Sequence, residues 1–372
     1  MPAATVPESI PLREIEHELR RQTDGAKQSD EAPTVRARMS NLVIFCDRAE
    51  TANSLVSEVP MIVAVHPARV LLLVGEPGPE TIDVTASVRV WIQHSRAGVK
   101  ACSEQITLRA RGMAVDRLPF AVRGLLVGDL PTNIWWASTQ PPPSAGSFLY
   151  SLAEQAQQVI YDSIGWREPA LGVAATASWL GSFEQPTGSG RWRVVSDLNW
   201  RRLKYWRRLL GQTLDPNATA EVIGSVTEVL VEHGPHAVIQ AWLLVSWLAA
   251  RLGWEVQAGS VQPGVEITWQ VVAAHGPLRI RIRRLSEGPS QVRRLRVLCV
   301  LDGKPCALDI APDDGCRLAI TAEGLPWAAR TLTTQPQTLV DLVGRQLADR
   351  ERDPVFHESM ALAQVFAKSL LN

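Results

Sequence analysis

Between residues 197 and 210 the chain reads DLNWRRLKYWRRLL, and its apolar and basic side chains recur at the spacing of a helix. At 100° per residue Trp200, Leu203, Trp206, Leu210 and Leu214 fall within one arc of about 120°, with Arg201, Lys204 and Arg208 opposite. Asp197 supplies an N-cap, and Gly211 followed by Asp215-Pro216 supplies a stop. Two features spoil the division: Arg207 projects within the apolar arc, and Tyr205 and Leu209 lie on its back. Apolar groups on two sides and a cation in the buried stripe predict a helix that touches more than its own domain. The alternative is an ordinary packed helix whose arginines are solvated.

Before this segment the pattern alternates strand with helix. Residues 8–22 predict a short charged helix, followed by a polar tether, TDGAKQSDEAPT. Asn41–Cys46 and Arg69–Val74 are continuous apolar runs of strand length on either side of a helical spacing at Arg48–Val65, which predicts a parallel pair. Ile82–Gln93 and Glu104–Arg111 alternate as antiparallel neighbours, so the sheet is expected to be mixed. Leu118–Leu126 and Ser147–Gln157 read as helices, Asn133–Trp136 and Gln158–Asp162 as strands, and Pro169–Leu180 as a helix. Gly188–Gly190 reads as a surface loop.

Beyond Pro216 the periodicity changes. Ala220–Glu232 alternates as a strand, Pro235–Leu252 is apolar all round and predicts a buried helix, and five segments between Val265 and Thr321 read as successive antiparallel strands. Helices at about 336–351 and 354–371 close the chain. The expected fold class is therefore α/β plus α+β. An N-terminal helix and tether (1–34) lead into a mixed-sheet α/β domain (35–168); a helical connector (169–215) joins it to an α+β domain (216–372), whose antiparallel sheet packs on the buried helix.

Composition narrows the function more than the fold. Hydrophobic residues make up 46% and charged residues 20%, enough core for two domains, and 38 basic against 38 acidic residues leave no field to attract nucleic acid or an anionic membrane. Five cysteines, an odd number without a CxxC pair, argue against a disulfide framework or a zinc ribbon and for a reducing compartment. The N-terminus lacks the basic start and apolar run of a signal peptide, so a cytoplasmic location is expected. Thirteen tryptophans against six phenylalanines tilt the odds towards an interaction protein.

Catalytic motifs are missing. There is no GxGxxG after the first strand, no GxxxxGK[ST], no GxSxG and no HExxH, and His233 and His236 are separated by Gly234-Pro235, so neither a catalytic set, a metal nor a cofactor is expected. Cys299 and Cys306 flank the Gly303-Lys304-Pro305 turn, where residues placed symmetrically come face to face. A reversible disulfide is one reading, with Lys304, Arg294 and Arg296 available to lower a thiol pKa. The other is simple burial as small hydrophobes, with Cys316 a competing partner.

The segments LLVGDLPTNIWWAS (125–138), DLNWRRLKYWRRLL (197–210) and WLLVSWLAARLGW (242–254), in that order, resemble the OpcA family, the glucose-6-phosphate dehydrogenase assembly proteins; RMSNLVIFC (38–46) and CSEQITLRARG (102–112) are similar to its N-terminal domain. The resemblance implies a non-catalytic partner that promotes the active oligomer of glucose-6-phosphate dehydrogenase and, in cyanobacterial relatives, thioredoxin-linked redox control. Trp135, Trp136, Trp200, Arg201, Tyr205, Arg207 and Arg208 are then the expected partner-binding residues, and Cys299 and Cys306 the redox pair. Adjacent cysteines common in the family's N-terminal segment are reduced here to Cys102 alone. Two rivals stay open: a sugar-phosphate-binding enzyme with an unrecognised site in the N-terminal α/β domain, and a scaffold for another partner.

Overall fold

The computed structural model describes residues 9–28, 34–35, 38–94, 100–184, 193–214, 219–325 and 327–371. In chain order the first part comprises α1 (Ile15–Gln28), β1 (Thr34–Val35), β2 (Ser40–Cys46), α2 (Ala49–Leu55), α3 (Val59–Val65), β3 (Ala68–Glu76), β4 (Ile82–His94), β5 (Lys100–Arg111), α4 (Leu118–Arg123), β6 (Thr132–Trp136), α5 (Ser147–Leu152), β7 (Ala156–Tyr161), α6 (Pro169–Phe183) and β8 (Val194–Asp197). Then come α7 (Leu198–Arg202), α8 (Lys204–Thr213), α9 (Ala220–Gly224), β9 (Val226–His233), α10 (Val238–Leu252), β10 (Glu255–Gln262), β11 (Glu266–Ala273), β12 (Gly276–Arg284), β13 (Val292–Leu301), β14 (Lys304–Asp314), β15 (Arg317–Glu323), β16 (Arg330–Thr333), α11 (Leu339–Ala348) and α12 (Pro354–Leu371).

The first sheet runs β1-β5-β3-β2-β6-β7-β8, with β4 paired to β5. All its pairs are parallel except β4–β5, so it is mixed, as expected. β2 and β3 read as unbroken apolar runs because helices cover both faces. Leu42, Ile44, Leu72 and Trp135 point to one layer with α2, α3 and α11, while Val43, Phe45, Leu73 and Trp136 point to the other. That second layer is continuous with the core of the C-terminal sheet, through Val173, Trp200, Leu244 and Phe366.

The second sheet runs β10-β11-β12-β9-β13-β14-β15-β16. It is antiparallel except at its centre, where β9 pairs parallel with β12. This corrects the all-antiparallel expectation: the intervening α10 acts as a crossover that returns the chain in the same direction. α10 is buried from Ile239 to Ala249, as its apolar circumference predicts, and ends at Gly253, whose φ of 65° is the left-handed cap geometry. It packs on β9, β12 and α12. The opposite face of the sheet carries a ladder of ion pairs, with Arg281 between Glu266 (2.7 Å) and Glu228 (3.0 Å), Arg283 on Glu232, and Arg294 on Asp309.

Several boundaries differ from the expectation. α1 extends to Gln28, absorbing the start of the tether, because Thr23 is buried and bonds back to the Leu19 carbonyl (2.6 Å). Residues 29–33 of the tether and Gly188–Gly190 lie outside the described residues, and Thr34 begins β1. Residues 48–65 form two helices rather than one, and Ala220–Glu232 is a short helix followed by a strand. α11 packs on α3 and α7, putting Leu342, Val343 and Leu347 in the core of the first sheet, whereas α12 packs on α6, α10 and β10. Among the described residues no helix is long and apolar enough to cross a membrane.

Candidate functional site

The site is built on the turn from β8 into α7. Asp197 ends the edge strand and caps the helix, accepting the Asn199 amide at 2.8 Å. It also accepts the Ser163 hydroxyl (2.6 Å) and amide (3.2 Å). The single helix expected over 197–210 is two: Leu203 shares its amide between the Asn199 and Trp200 carbonyls, both at 3.3 Å, which tightens one turn and redirects α8. Gly211 lies inside α8 and does not stop it.

Asp197 is 2% exposed, and burial, reinforced by the nearby Asp162 carboxylate, pushes its pKa up to about 7. An acid whose native pKa lies above its unfolded value, about 4 for Asp, holds a proton in the fold that unfolding releases. Its contribution to stability is therefore full below about pH 4 and is lost as the pH rises to about 7. Asp197→Asn should remove this dependence, so the variant gains stability relative to the wild type between pH 5 and pH 8. Urea unfolding at the two pH values checks it; an unchanged difference would show a normally titrating carboxyl.

The apolar arc is buried as the spacing predicts: Trp200, Leu203, Trp206, Leu210 and Leu214 are each 8% exposed or less. Trp200 meets the segment that begins α12, and α8 packs on β15. Trp200 Nε1 donates to Asp353 (2.7 Å) and its ring lies 5.5 Å from Phe356. Arg201 donates to Gln346 (2.7 Å) and Asp349 (2.6 Å), and Arg202 to both oxygens of Asp162 at 2.7 Å. The helix pair thus touches more than one unit, but within the molecule, and Tyr205 and Leu209 are buried too.

This revises the partner-binding set. Trp135 and Trp136 are 2% and 3% exposed in the central strand β6, Trp136 stacked 4.4 Å from Phe45, and they offer no surface to a partner. Trp200 and Tyr205 are interior for the reasons given, and Arg201 is held by the C-terminal segment. Arg208 is exposed, as is Lys204, which the expected set omitted.

Arg207 differs from all of these. Its guanidinium lies 3.4 Å over the Trp200 ring, a cation–π contact, and donates one long bond to the Trp200 carbonyl (3.3 Å). Nε is buried without a hydrogen-bond partner, and among the described residues no carboxylate lies within ion-pair distance. Burial lowers its pKa to about 10. It lines a cleft of about 410 Å³ between α7–α8 and residues 349–353. Arg201, Lys204 and Arg207 stand on one wall; Asp349, Glu351, Arg352 and Asp353 line the other, where Asp349 pairs with Arg201 and Arg352 turns to Glu184 (3.1 Å). The acidic wall was not singled out from the sequence; the run DRERDP (349–354) carries its only signal, as mixed charge before a helix start.

Cys299 and Cys306 stand directly opposite in the β13–β14 register, Cα atoms 5.1 Å apart, and are joined as a disulfide. Both are buried on the inner face, so the reading of simple burial as separate thiols gives way to that of a disulfide: the Asp302-Gly303 turn keeps the register symmetrical. Arg294 and Arg296 project from the other face onto Asp309 and do not tune these thiols. Cys46 and Cys102 are buried and Cys316 is exposed, and among the described residues the Cys299–Cys306 bridge involves none of them. Burial pushes the Cys46 thiol up to about 12.

The first sheet has the architecture of a dinucleotide-binding fold, with its switch point between β2 and β6. The residues there do not suit a dinucleotide. Ser138 donates to Asp47 across the crevice (2.8 Å), no glycine-rich turn follows β2, and the first amide of α2, on Ala49, donates to Glu76 (3.4 Å). Two carboxylates occupy the place where a diphosphate needs backbone amides.

A two-sheet chain whose first sheet has the strand order of a dinucleotide-binding fold, with Asp47 and Glu76 at its switch point, is what fold and site define. Family models described as the N-terminal and C-terminal domains of a glucose-6-phosphate dehydrogenase subunit match residues 59–178 and 193–360. The chain belongs to the OpcA family of glucose-6-phosphate dehydrogenase assembly proteins. Relatives provisionally described as OxPP cycle protein OpcA include those of Nostoc punctiforme, 31% identical over 51% of this chain and 39% of its own, and Synechocystis sp., 27% identical over 55% and 41%. The chain thus spans about two fifths of the length of these relatives. Among solved structures, one from Parabacteroides merdae, provisionally described as an oxidoreductase, matches with a TM-score of 0.50 at 9% identity, over 90% of this chain and 97% of that one. At that identity the likeness is one of fold.

Proposed function

We propose that this chain is a non-catalytic assembly factor and activator of glucose-6-phosphate dehydrogenase in the oxidative pentose phosphate pathway, working in the cytoplasm. The observation that carries the reading is the match of both halves to the family's two domains. The nucleotide crevice supports it, because Asp47 and Glu76 disfavour the NADP that a dehydrogenase of this architecture needs. A sugar-phosphate enzyme is the less favoured reading on the same grounds.

The test mixes the purified chain with the dehydrogenase and follows NADPH formation and oligomer size. Alone, the chain should form no NADPH; added to the enzyme, it should raise the rate and the fraction of assembled oligomer. No change in either would refute the proposal. Arg208, exposed on α8, belongs to the docking surface in this reading, and Arg208→Glu should weaken association several-fold at low salt and less at high salt. An added reductant arm addresses the Cys299–Cys306 clamp: if thioredoxin-linked control operates here, opening the disulfide shifts activation by at most the partner's differential affinity for the two forms.

A further inference from the structure

We infer that the cleft between α7–α8 and residues 349–353 binds a small phosphorylated sugar, its phosphate on Arg207 and Lys204 and its hydroxyls on the acidic wall. Arg207 is the starting point. A guanidinium has five donors; this one has a buried Nε without a partner and a single long bond to a carbonyl, although it lines a cleft open to solvent. The Trp200 ring beneath it is fixed by the 2.7 Å bond to Asp353, so the guanidinium is held flat, the geometry for two-pronged recognition of a phosphate or carboxylate. Lys204, exposed one turn earlier, has no ion-pair partner among the described residues and adds a second charge to the same wall.

The opposite wall decides what kind of anion fits. Glu351 is an exposed carboxylate on the same 410 Å³, a volume in the range of small-molecule sites; Asp349 beside it keeps acceptor capacity beyond its bond to Arg201, and the neighbouring Arg352 is engaged by Glu184. The carboxylates of Asp349 and Glu351 repel a second negative group, and inorganic phosphate has only one or two hydroxyl donors to set against that repulsion. A sugar phosphate turns them into partners, because its hydroxyls donate to carboxylate oxygens while its dianion meets the basic wall. The ligand class follows from two walls of opposite charge, independently of the proposed dehydrogenase partner.

The experiment is isothermal titration calorimetry of the full chain, without dehydrogenase, against glucose 6-phosphate, inorganic phosphate and glucose. Glucose 6-phosphate should bind at one saturable site, phosphate at least tenfold more weakly, and glucose not at all. Arg207→Met should lower the affinity roughly ten- to a hundredfold, the effect of losing a charge-assisted bond, with partial recovery in Arg207→Lys. Should Arg207→Met fail to fold, the exposed Lys204→Met decides, with a several-fold loss expected. Absence of saturable binding in the low-millimolar range, equal affinity for phosphate and glucose 6-phosphate, or a folded Arg207→Met chain that binds like wild type would each overturn the inference. None of these outcomes bears on activation of the dehydrogenase.

Discussion

Trp269→Ala is expected to lower the free energy of unfolding by about 3–5 kcal/mol, the range for a fully buried large aromatic. Trp269 is wholly inaccessible on the inner face of β11. Its ring meets Trp242 of α10 edge-on at 5.0 Å and Phe366 of α12 at 4.9 Å, and Nε1 donates to the Phe366 carbonyl at 3.1 Å. Truncation leaves a cavity among these three elements and strips a donor from the Phe366 carbonyl. Val272→Ala, three positions along β11 on the exposed face, should stay within about 0.5 kcal/mol. Urea unfolding followed by circular dichroism separates the two, and a loss below about 1 kcal/mol for Trp269→Ala, less than a typical core truncation, would show that the α10–α12 layer closes over the gap.

Arg69→Met is expected to cost nearly as much for a different reason. Arg69 is 4% exposed at the start of β3, and its guanidinium reaches Glu16 of α1 (2.6 Å), Glu104 of β5 (3.2 Å) and the Leu125 carbonyl (2.9 Å). Glu104, 1% exposed, retains Arg38 in the variant but loses this inner partner. Removing one member of a buried charge set costs about 3–5 kcal/mol, because the survivor stays desolvated. Glu16 is half-exposed and can return to water, so Glu16→Ala should cost less; its pKa is lowered chiefly by the bond to Arg69, so that bond contributes above the ordinary carboxylate range and is lost as the pH falls. Unfolding curves of both variants, with limited proteolysis of α1, test this. Equal costs would mean that the strength lies in the α1 contact, not in the buried pair.

How far the sequence disclosed this molecule depends on the range of the interaction read. Local signals were legible: the Asp197 cap, the apolar arc from Trp200 to Leu214, the buried run of α10, and the alternation of β4 against β5. Signals that depend on distant pairing were not. β10 and β16 escaped notice because edge strands bury little and alternate weakly, and the parallel β9–β12 pair is fixed by a crossover rather than by either strand. The candidate site shows the same divide. Arg207 inside an apolar arc correctly marked an unusual helix, but what covers that helix, Asp349 to Phe356, lies some 150 residues onward and has no local mark. Trp135 and Trp136 misled for the opposite reason: a tryptophan pair is equally at home in an interface and in a central strand, and only burial separates the two.

The return of α11 to the first sheet has a bearing on how the chain is made. Leu342, Val343 and Leu347 complete a layer whose other members, Leu42, Val63 and Leu72, are synthesised some 270 residues earlier. Until α11 is synthesised, the part of that face beside α2 and α3 remains uncovered, and the segment that secures Trp200 and Arg201 is likewise not yet present. The long first half cannot therefore settle as a finished unit while the second is being translated; closure waits for the final turns, with the slow loop formation that such distant contacts impose. The nascent protein spends that interval with part of an apolar sheet face, the strip that α11 later covers, exposed to water.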